Sequence, residues 1–280
     1  MDEFYHHMLV KEKEFRKYEF QPKNNKKYIA KRWNIVHLTW RACDNLNLET
    51  SIAHISVHYF DKIMSLYSVQ ETRWNIILAS CISVAMKYGV TDDHHPSLSS
   101  LIKVMGLDGL SNSYFRDSGE IVVLKLLDWR LCCLPPIMFI DYYLEHGILF
   151  TDEMYESEQF ETLKIFQEYV HFFCFLCLKH YTFCFYRPSM LASAIIFVTR
   201  QMLGTHPWRT ELKALTGFDE HDLQSISCHI LASYQEEYPE HYQLVVGQSS
   251  TSTYSCANDN YRSYDTIDQS LHHSFKSFKL

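Results

Sequence analysis

Apolar residues along this chain recur at helical steps, and in two places they fill a whole helix. Between residues 52 and 67, Ile52, Ile55, Tyr59, Phe60, Ile63 and Tyr67 follow three- and four-residue spacings, which predicts an amphipathic helix. Ser68-x-x-Glu71 reads as a capping box opening the next helix, from Val69 to Tyr88. From Trp74 to Met86 that helix is apolar all round, and so is the stretch from Met190 to Met202. A helix apolar on every face belongs at the buried centre of a bundle. The two stretches also share a beginning, Leu78-Ala79-Ser80-Cys81-Ile82 and Leu191-Ala192-Ser193-Ala194-Ile195. The small residues Ala79, Ser80, Ala192 and Ser193 allow neighbouring helices to approach closely. Two such helices a domain's length apart suggest one helical module used twice.

Elements around them fit that duplication. Residues 1–30 are mixed and charged, with a helix expected around Met8–Phe20. Next comes a helix from Arg32, then the two just described, a short one at Leu98–Met105, and one at Ser118–Trp129 carrying Ile121, Val122, Leu124, Leu126 and Leu127. Pro135-Pro136 breaks the chain. A second series is then predicted at Phe139–His146, Phe160–His180, Pro188–Leu203, Trp208–Leu215 and Asp222–Tyr238, with Pro188 in a first-turn position. The apolar helix is third in each series. Beyond Leu244 the chain turns to Ser, Thr, Tyr, Asn and Asp without periodicity, the composition of a disordered tail. The expected organisation is all-α: an N-terminal helical extension over 1–30, helical domains over 31–134 and 135–244, and a disordered tail over 245–280.

Composition agrees. A length of 280 residues allows roughly two ordinary domains, and 47% hydrophobic with 15% aromatic residues is ample for packed cores. Only 8 Gly and 7 Pro leave little for the tight turns of an all-β protein. A formal charge of −7 argues against a coat for nucleic acid. The basic cluster Lys23, Lys26, Lys27, Lys31 and Arg32 suits either a solvated linker with a first helical turn or a docking or import patch. Met1-Asp2-Glu3-Phe4 lacks the apolar core of a signal peptide, and the apolar runs fall short of the ~20 residues of a membrane span. Cys81, Cys174, Cys177 and Cys228 sit in apolar helical runs, as reduced, buried thiols of an intracellular protein do. The expectation is a soluble protein of nucleus or cytoplasm, with neither membrane nor nucleic acid as partner.

No phosphate-binding glycine loop and no kinase H-R-D or D-F-G triplet occurs, so no motif for phosphoryl transfer is visible. Cys174-x-x-Cys177 lies within an apolar helix without a second pair at zinc-ribbon spacing, and packing is the preferred reading. Neither a metal nor a cofactor is expected. His6-His7 and His94-His95 fall in polar segments and read as solvated, while Cys132-Cys133 follows a helix end. More telling are Arg32, Asp61, Lys87 and Glu120, each at or just inside the edge of an apolar helix. A partly buried charge requires a partner. Snorkelling surface side chains are the alternative.

Those four charges fall within a specific resemblance. Arg32-Trp-Asn-Ile-Val-His-Leu38 resembles the R-x-x-L-x-x-W/L opening of a cyclin box, and His58-Tyr59-Phe60-Asp61-Lys62-Ile63-Met64 its N-Y-x-D-R-F-L segment. Leu78 to Tyr88 resembles its L-x-A-x-x-x-A-S-K-[FY] helix, with Ile76 where Leu is usual. Glu120-x-x-x-Leu124-Lys125-x-Leu127-x-Trp129-x-Leu131 resembles its closing segment. In the second half, Pro188-Ser189-x-Leu191-Ala192 and the stretch from Pro207-Trp208 to Thr216-Gly217-Phe218 are similar to the C-terminal cyclin fold. Trp129-x-Leu131-Cys132 and Phe139-Ile140-Asp141-Tyr142-Tyr143-Leu144 are most similar to J-type cyclins.

The resemblance covers about residues 30–240 and implies tandem five-helix cyclin folds forming a heterodimer with a cyclin-dependent kinase. It implies a regulatory subunit without catalytic residues, which activates the kinase by holding its αC helix so that the kinase's own Lys–Glu pair forms, and so controls cell-cycle progression. Lys87 and Glu120 would meet backbone carbonyls and amides around that helix, and Val84, Tyr88, Ile121, Leu124 and Leu131 would supply apolar contact. Arg32 and Asp61 would form a structural ion pair. Lys31 and Asn34 are polar where cell-cycle cyclins carry the apolar groove for R-x-L peptides, and Leu38 replaces the usual Trp, so that docking is not expected. His37 replaces an Asp. Arg200-x-x-Leu203 and Arg209-x-x-Leu212 match a degradation signal but lie in predicted helices. A cyclin-fold transcription factor is the alternative, wanting a zinc ribbon and a basic surface, as is a helical scaffold that binds no kinase.

Overall fold

The computed structural model describes residues 3–16, 25–89, 96–153 and 159–247, which form helices and connecting turns with no β-strand among them. They divide into two compact units, Met1–Glu145 with Cys177–Ala192, and His146–Leu176 with Ser193–Leu280. The predicted tail from 245 lies outside the described residues except for 245–247, and His94-His95 lies outside them as well.

The first unit begins with α1 (Glu3–Arg16), then α2 (Lys26–Asn45), α3 (Thr50–Leu66) and α4 (Trp74–Gly89). Asn25 caps α2, its side chain accepting from the Tyr28 amide at 3.0 Å. Helix α4 is the centre: every residue from Ile77 through Met86 is buried, and α2, α3, α5 (Leu98–Val104) and α7 (Ile121–Leu126) all pack on it. Ala79 is fully enclosed, as an all-apolar helix requires. The predicted capping box is not used. A 3₁₀ turn over Glu71–Arg73 precedes α4, and the Glu71 carboxylate pairs instead with Lys27 (2.5 Å) and Lys31 of α2. The box fails because α4 begins only at Trp74, after a turn whose cap is Gln70, so Ser68 does not stand at a helix start.

The helix predicted from Ser118 starts earlier. α6 (Asn112–Phe115) runs through a π turn over Arg116–Glu120 into α7, a continuous path that the mostly polar stretch 111–118, with Phe115 its one buried apolar residue, and Gly119 conceal from periodicity. α8 (Pro136–Glu145) also belongs to this unit: it packs on α3, and its Tyr143 shares a 2.7 Å hydroxyl hydrogen bond with Tyr5 of α1. The buried Glu12 carboxylate of α1 accepts from the Ser189 amide (2.6 Å), the Ser189 hydroxyl (2.9 Å) and Arg187, so α1 caps the start of α10 (Pro188–Met202).

The second unit contains most of α9 (Gln159–Lys179) and α10, with α11 (Thr210–Thr216), α12 (Glu220–Glu237) and α13 (Pro239–Gly247), the last not anticipated from sequence. Every residue from Leu191 through Arg200 is buried, Ala192 fully so. Phe172 and Phe173 of α9 meet Tyr234 of α12 edge to face, with centroids 5.6 and 5.4 Å apart. Cys228 is exposed, against the expected buried thiol, because the buried stripe of α12 runs through Leu223, Ile226, Ser227, Ile230 and Tyr234 and leaves it on the outer side. Arg200 is fully buried, and its guanidinium donates to the carbonyls of Ile148 (2.6 Å) and His206 (2.8 and 2.9 Å) and to Glu153 (2.5 Å). Arg200-x-x-Leu203 is therefore structural, and closed to any reader of degradation signals.

Candidate functional site

The four singled-out charges form two ion pairs of opposite character. Arg32 on α2 is 2% exposed and donates Nε and an Nη to the two oxygens of Asp61 on α3, both at 2.8 Å. Its other Nη donates to the carbonyls of Leu178 (2.7 Å) and Lys179 (3.1 Å), which close α9. The Tyr28 hydroxyl also donates to Asp61. Burial opposes the charged form of Arg32, but the carboxylate beside it prevails and holds the guanidinium above its ordinary pKa. Every donor of this cluster faces inward, so its work is to join elements of the fold.

Lys87 and Glu120 form the outward pair. Lys87 sits in the last turn of α4 and Glu120 closes the π turn, and their charges meet at 2.6 Å, Nζ to Oε1. The Lys87 side chain is 50% exposed and that of Glu120 is 10% exposed. Glu120 Oε1 accepts a second hydrogen bond, from the buried hydroxyl of Ser83 one turn before Lys87. Oε2 accepts none among the described residues, and two of the three Lys87 ammonium donors are likewise unengaged. The pair thus shows the outside both a donor and an acceptor.

Tyr88 and Ile121, the chain neighbours of Lys87 and Glu120, are exposed and frame the pair with apolar surface. Leu124 and Leu131 are half-buried against the core, and Val84 is buried. The Leu131 carbonyl accepts from the Tyr59 hydroxyl at 2.5 Å, so this residue anchors the segment after α7. Sequence reasoning passed over Ser83 and the exposure of Trp129. Ser83 reads as a small packing residue because a serine in an apolar helix gives no sign of its distant partner. Trp129, 66% exposed with φ 57° beside Asp128 at φ 54°, stands out only because the backbone turns left-handed after α7.

On the outer face of α2, Lys31 and Asn34 are exposed, and Trp33 stacks on His37 at 5.1 Å. Burial first, then Arg41 and Lys179, lower the His37 pKa. Among the described residues no His, Cys, Asp or Glu cluster could hold a metal ion, and no helix is long and apolar enough to cross a membrane.

This arrangement, a central buried helix ending in an outward Lys that pairs with a Glu across the bundle, occurs in a chain matched by two family models. The N-terminal cyclin domain matches residues 3–132 and the C-terminal cyclin domain residues 135–260. The chain belongs to the cyclin family. Among relatives it is similar to Cyclin-J of Xenopus laevis, 26% identical over 200 residues covering 69% of this chain and 50% of that protein. It is also similar to Cyclin-J-like protein of Mus musculus, 25% identical over 210 residues covering 72% and 54%. The chain spans about half the length of these relatives. In fold it is similar to a viral cyclin from herpesvirus saimiri, with TM-score 0.55, 16% identity and coverage of 76% of this chain and 86% of that one. A chain of the yeast RNA Pol II CTD kinase CTDK-1 complex aligns with TM-score 0.58 and 10% identity, covering 94% and 86%.

Proposed function

We propose that this chain is a regulatory subunit that binds and activates a cyclin-dependent protein kinase and acts in cell-cycle progression. The observation that carries this is the Lys87–Glu120 pair at 2.6 Å, its Lys87 end half-exposed and its Glu120 end largely buried, framed by exposed Tyr88 and Ile121. Backbone carbonyls at the end of a partner helix call for a donor such as Lys, and backbone amides call for an acceptor such as Glu. Tyr88 and Ile121, with Leu124 and Leu131 behind them, give that partner apolar contact. Holding the kinase αC helix there completes the kinase's internal Lys–Glu pair, so the chemistry belongs to the partner and no catalytic residue to this chain. The sequence supports that division, since it carries no phosphate-binding loop.

The test is co-expression with a panel of cyclin-dependent kinases, followed by co-purification and a histone-kinase assay. One kinase should copurify and rise from near-zero activity, and the chain alone should hydrolyse no ATP. Failure to bind any kinase of the panel, or ATP hydrolysis by the pure chain, would contradict the proposal.

A further inference from the structure

We propose that Ser83 and the π turn aim the Glu120 carboxylate, directing one oxygen inward and presenting the other to a backbone amide of the partner. This rests on the kinase-binding reading above and names the residues that position its acceptor. Ser83 is fully buried, and its hydroxyl behaves unlike its neighbours. Thr39, Ser56, Ser80 and Thr216 each donate to the carbonyl one helical turn back, at 2.6–2.8 Å. That is the ordinary recourse of a buried helical hydroxyl. Ser83 instead donates across to Glu120 Oε1.

Three positions of α4 that share one face, Ser80, Ser83 and Lys87, meet the π turn in succession. At Ser80 the approach is so close that a Cβ on Gly119 would lie 2.3 Å from the Ser80 hydroxyl oxygen. With the Ser80 hydroxyl in place, no side chain larger than glycine's hydrogen fits at 119, although the next atoms, Ser80 Cβ and Ile76 Cγ1, stand back at 3.6 Å. A π turn inserts one residue into the helical repeat and rotates the residues downstream of it by roughly 100°. As the last residue of that turn, Glu120 lies on the Ser83–Lys87 face, within reach of both side chains. Lys87 has a long, half-exposed stem and by itself would let the carboxylate swing. Ser83 is short and fixed by the helix, so the direction of Oε2 is settled before a partner arrives. The site then offers unengaged ammonium donors beside one unengaged carboxylate oxygen, a match for main chain that presents carbonyls and an amide together. Ser83 is a positioning residue in this scheme, since it acts through Glu120.

The experiment is a double-mutant cycle on the complex with the kinase that copurifies with the full chain. Ser83→Ala should weaken kinase binding by about 10- to 150-fold, the loss expected when a hydrogen bond to a charged group is removed. In a Glu120→Gln background the same change should alter affinity less than about 2-fold, because Ser83 acts only by aiming the carboxylate. A general defect of α4 would instead weaken both backgrounds alike, and that result overturns the proposal. Unchanged binding by Ser83→Ala, with Glu120→Ala abolishing it, overturns the role of Ser83 and leaves the kinase-binding reading intact. Full binding by Glu120→Ala overturns both.

Discussion

Arg32→Ala should act on stability before it acts on anything else. The guanidinium makes two 2.8 Å hydrogen bonds to Asp61 and two to the carbonyls of Leu178 and Lys179. Side-chain exposures are 2% for Arg32 and 5% for Asp61. Truncation leaves the Asp61 carboxylate buried with the Tyr28 hydroxyl but no cation, and removes donors from carbonyls at the end of α9 that no intrahelical amide can reach. Breaking a buried pair from one side typically costs about 3–5 kcal/mol. At about 2–4 °C per kcal/mol for a unit of this size, the melting temperature should fall by about 6–20 °C. Arg32→Lys should recover only part of the loss, since an ammonium cannot serve both carboxylate oxygens and both carbonyls in one plane. Circular dichroism melts of the three proteins are the assay, with kinase affinity measured below the transition, where the folded Arg32→Ala protein should still bind. A fall of less than about 2 °C would refute the reasoning that this cluster joins α2, α3 and the end of α9.

Gly119→Ala should destabilise by about 1–3 kcal/mol through the clash with the Ser80 hydroxyl. Ser80→Ala in the same chain should restore the melting temperature, because the next atoms, Ser80 Cβ and Ile76 Cγ1, stand at an ordinary 3.6 Å; an unrescued double variant would contradict the close approach of α4 and the π turn. His58 on α3 provides a pH signature: chiefly through burial, its pKa is pushed down to about 4 from 6.5. The unfolded chain takes up that proton first, so stability should be indifferent to this group above about pH 6.5 and decline as pH falls from there towards about 4. His58→Gln should flatten that part of the stability–pH curve, and equal slopes for the two proteins would refute the assignment.

The central helices were legible because burial on every side writes itself as a run of apolar and small residues, in 77–86 and again in 191–198. The Lys87 and Glu120 positions were legible only through resemblance to cyclins, since neither residue predicts the other across the chain. What stayed hidden depends on partners far apart in sequence. Glu12 looks like one more charge in a polar helix until Ser189 and Arg187 close on it. Glu71 fits a capping box until α4 begins only at Trp74 and Lys27 and Lys31 of another helix pair with it. Ser83 carries no local sign of Glu120, and a π turn leaves no periodic trace because the inserted residue is what breaks the period.

Whether a kinase is held at the Lys87–Glu120 pair is decided by the kinase affinity of Lys87→Ala and Glu120→Ala, each measured beside its melting curve. Each truncation leaves partner backbone groups desolvated and unmatched, a loss of about 2–4 kcal/mol, or roughly 30- to 1000-fold in affinity. Both variants should lose kinase binding and activation while remaining folded, Lys87→Ala melting within a few degrees of wild type because that side chain is half-exposed, and Glu120→Ala melting lower because it leaves the buried Ser83 hydroxyl without its acceptor. Full binding and activation by both variants would contradict the claim that this pair is where the kinase is held.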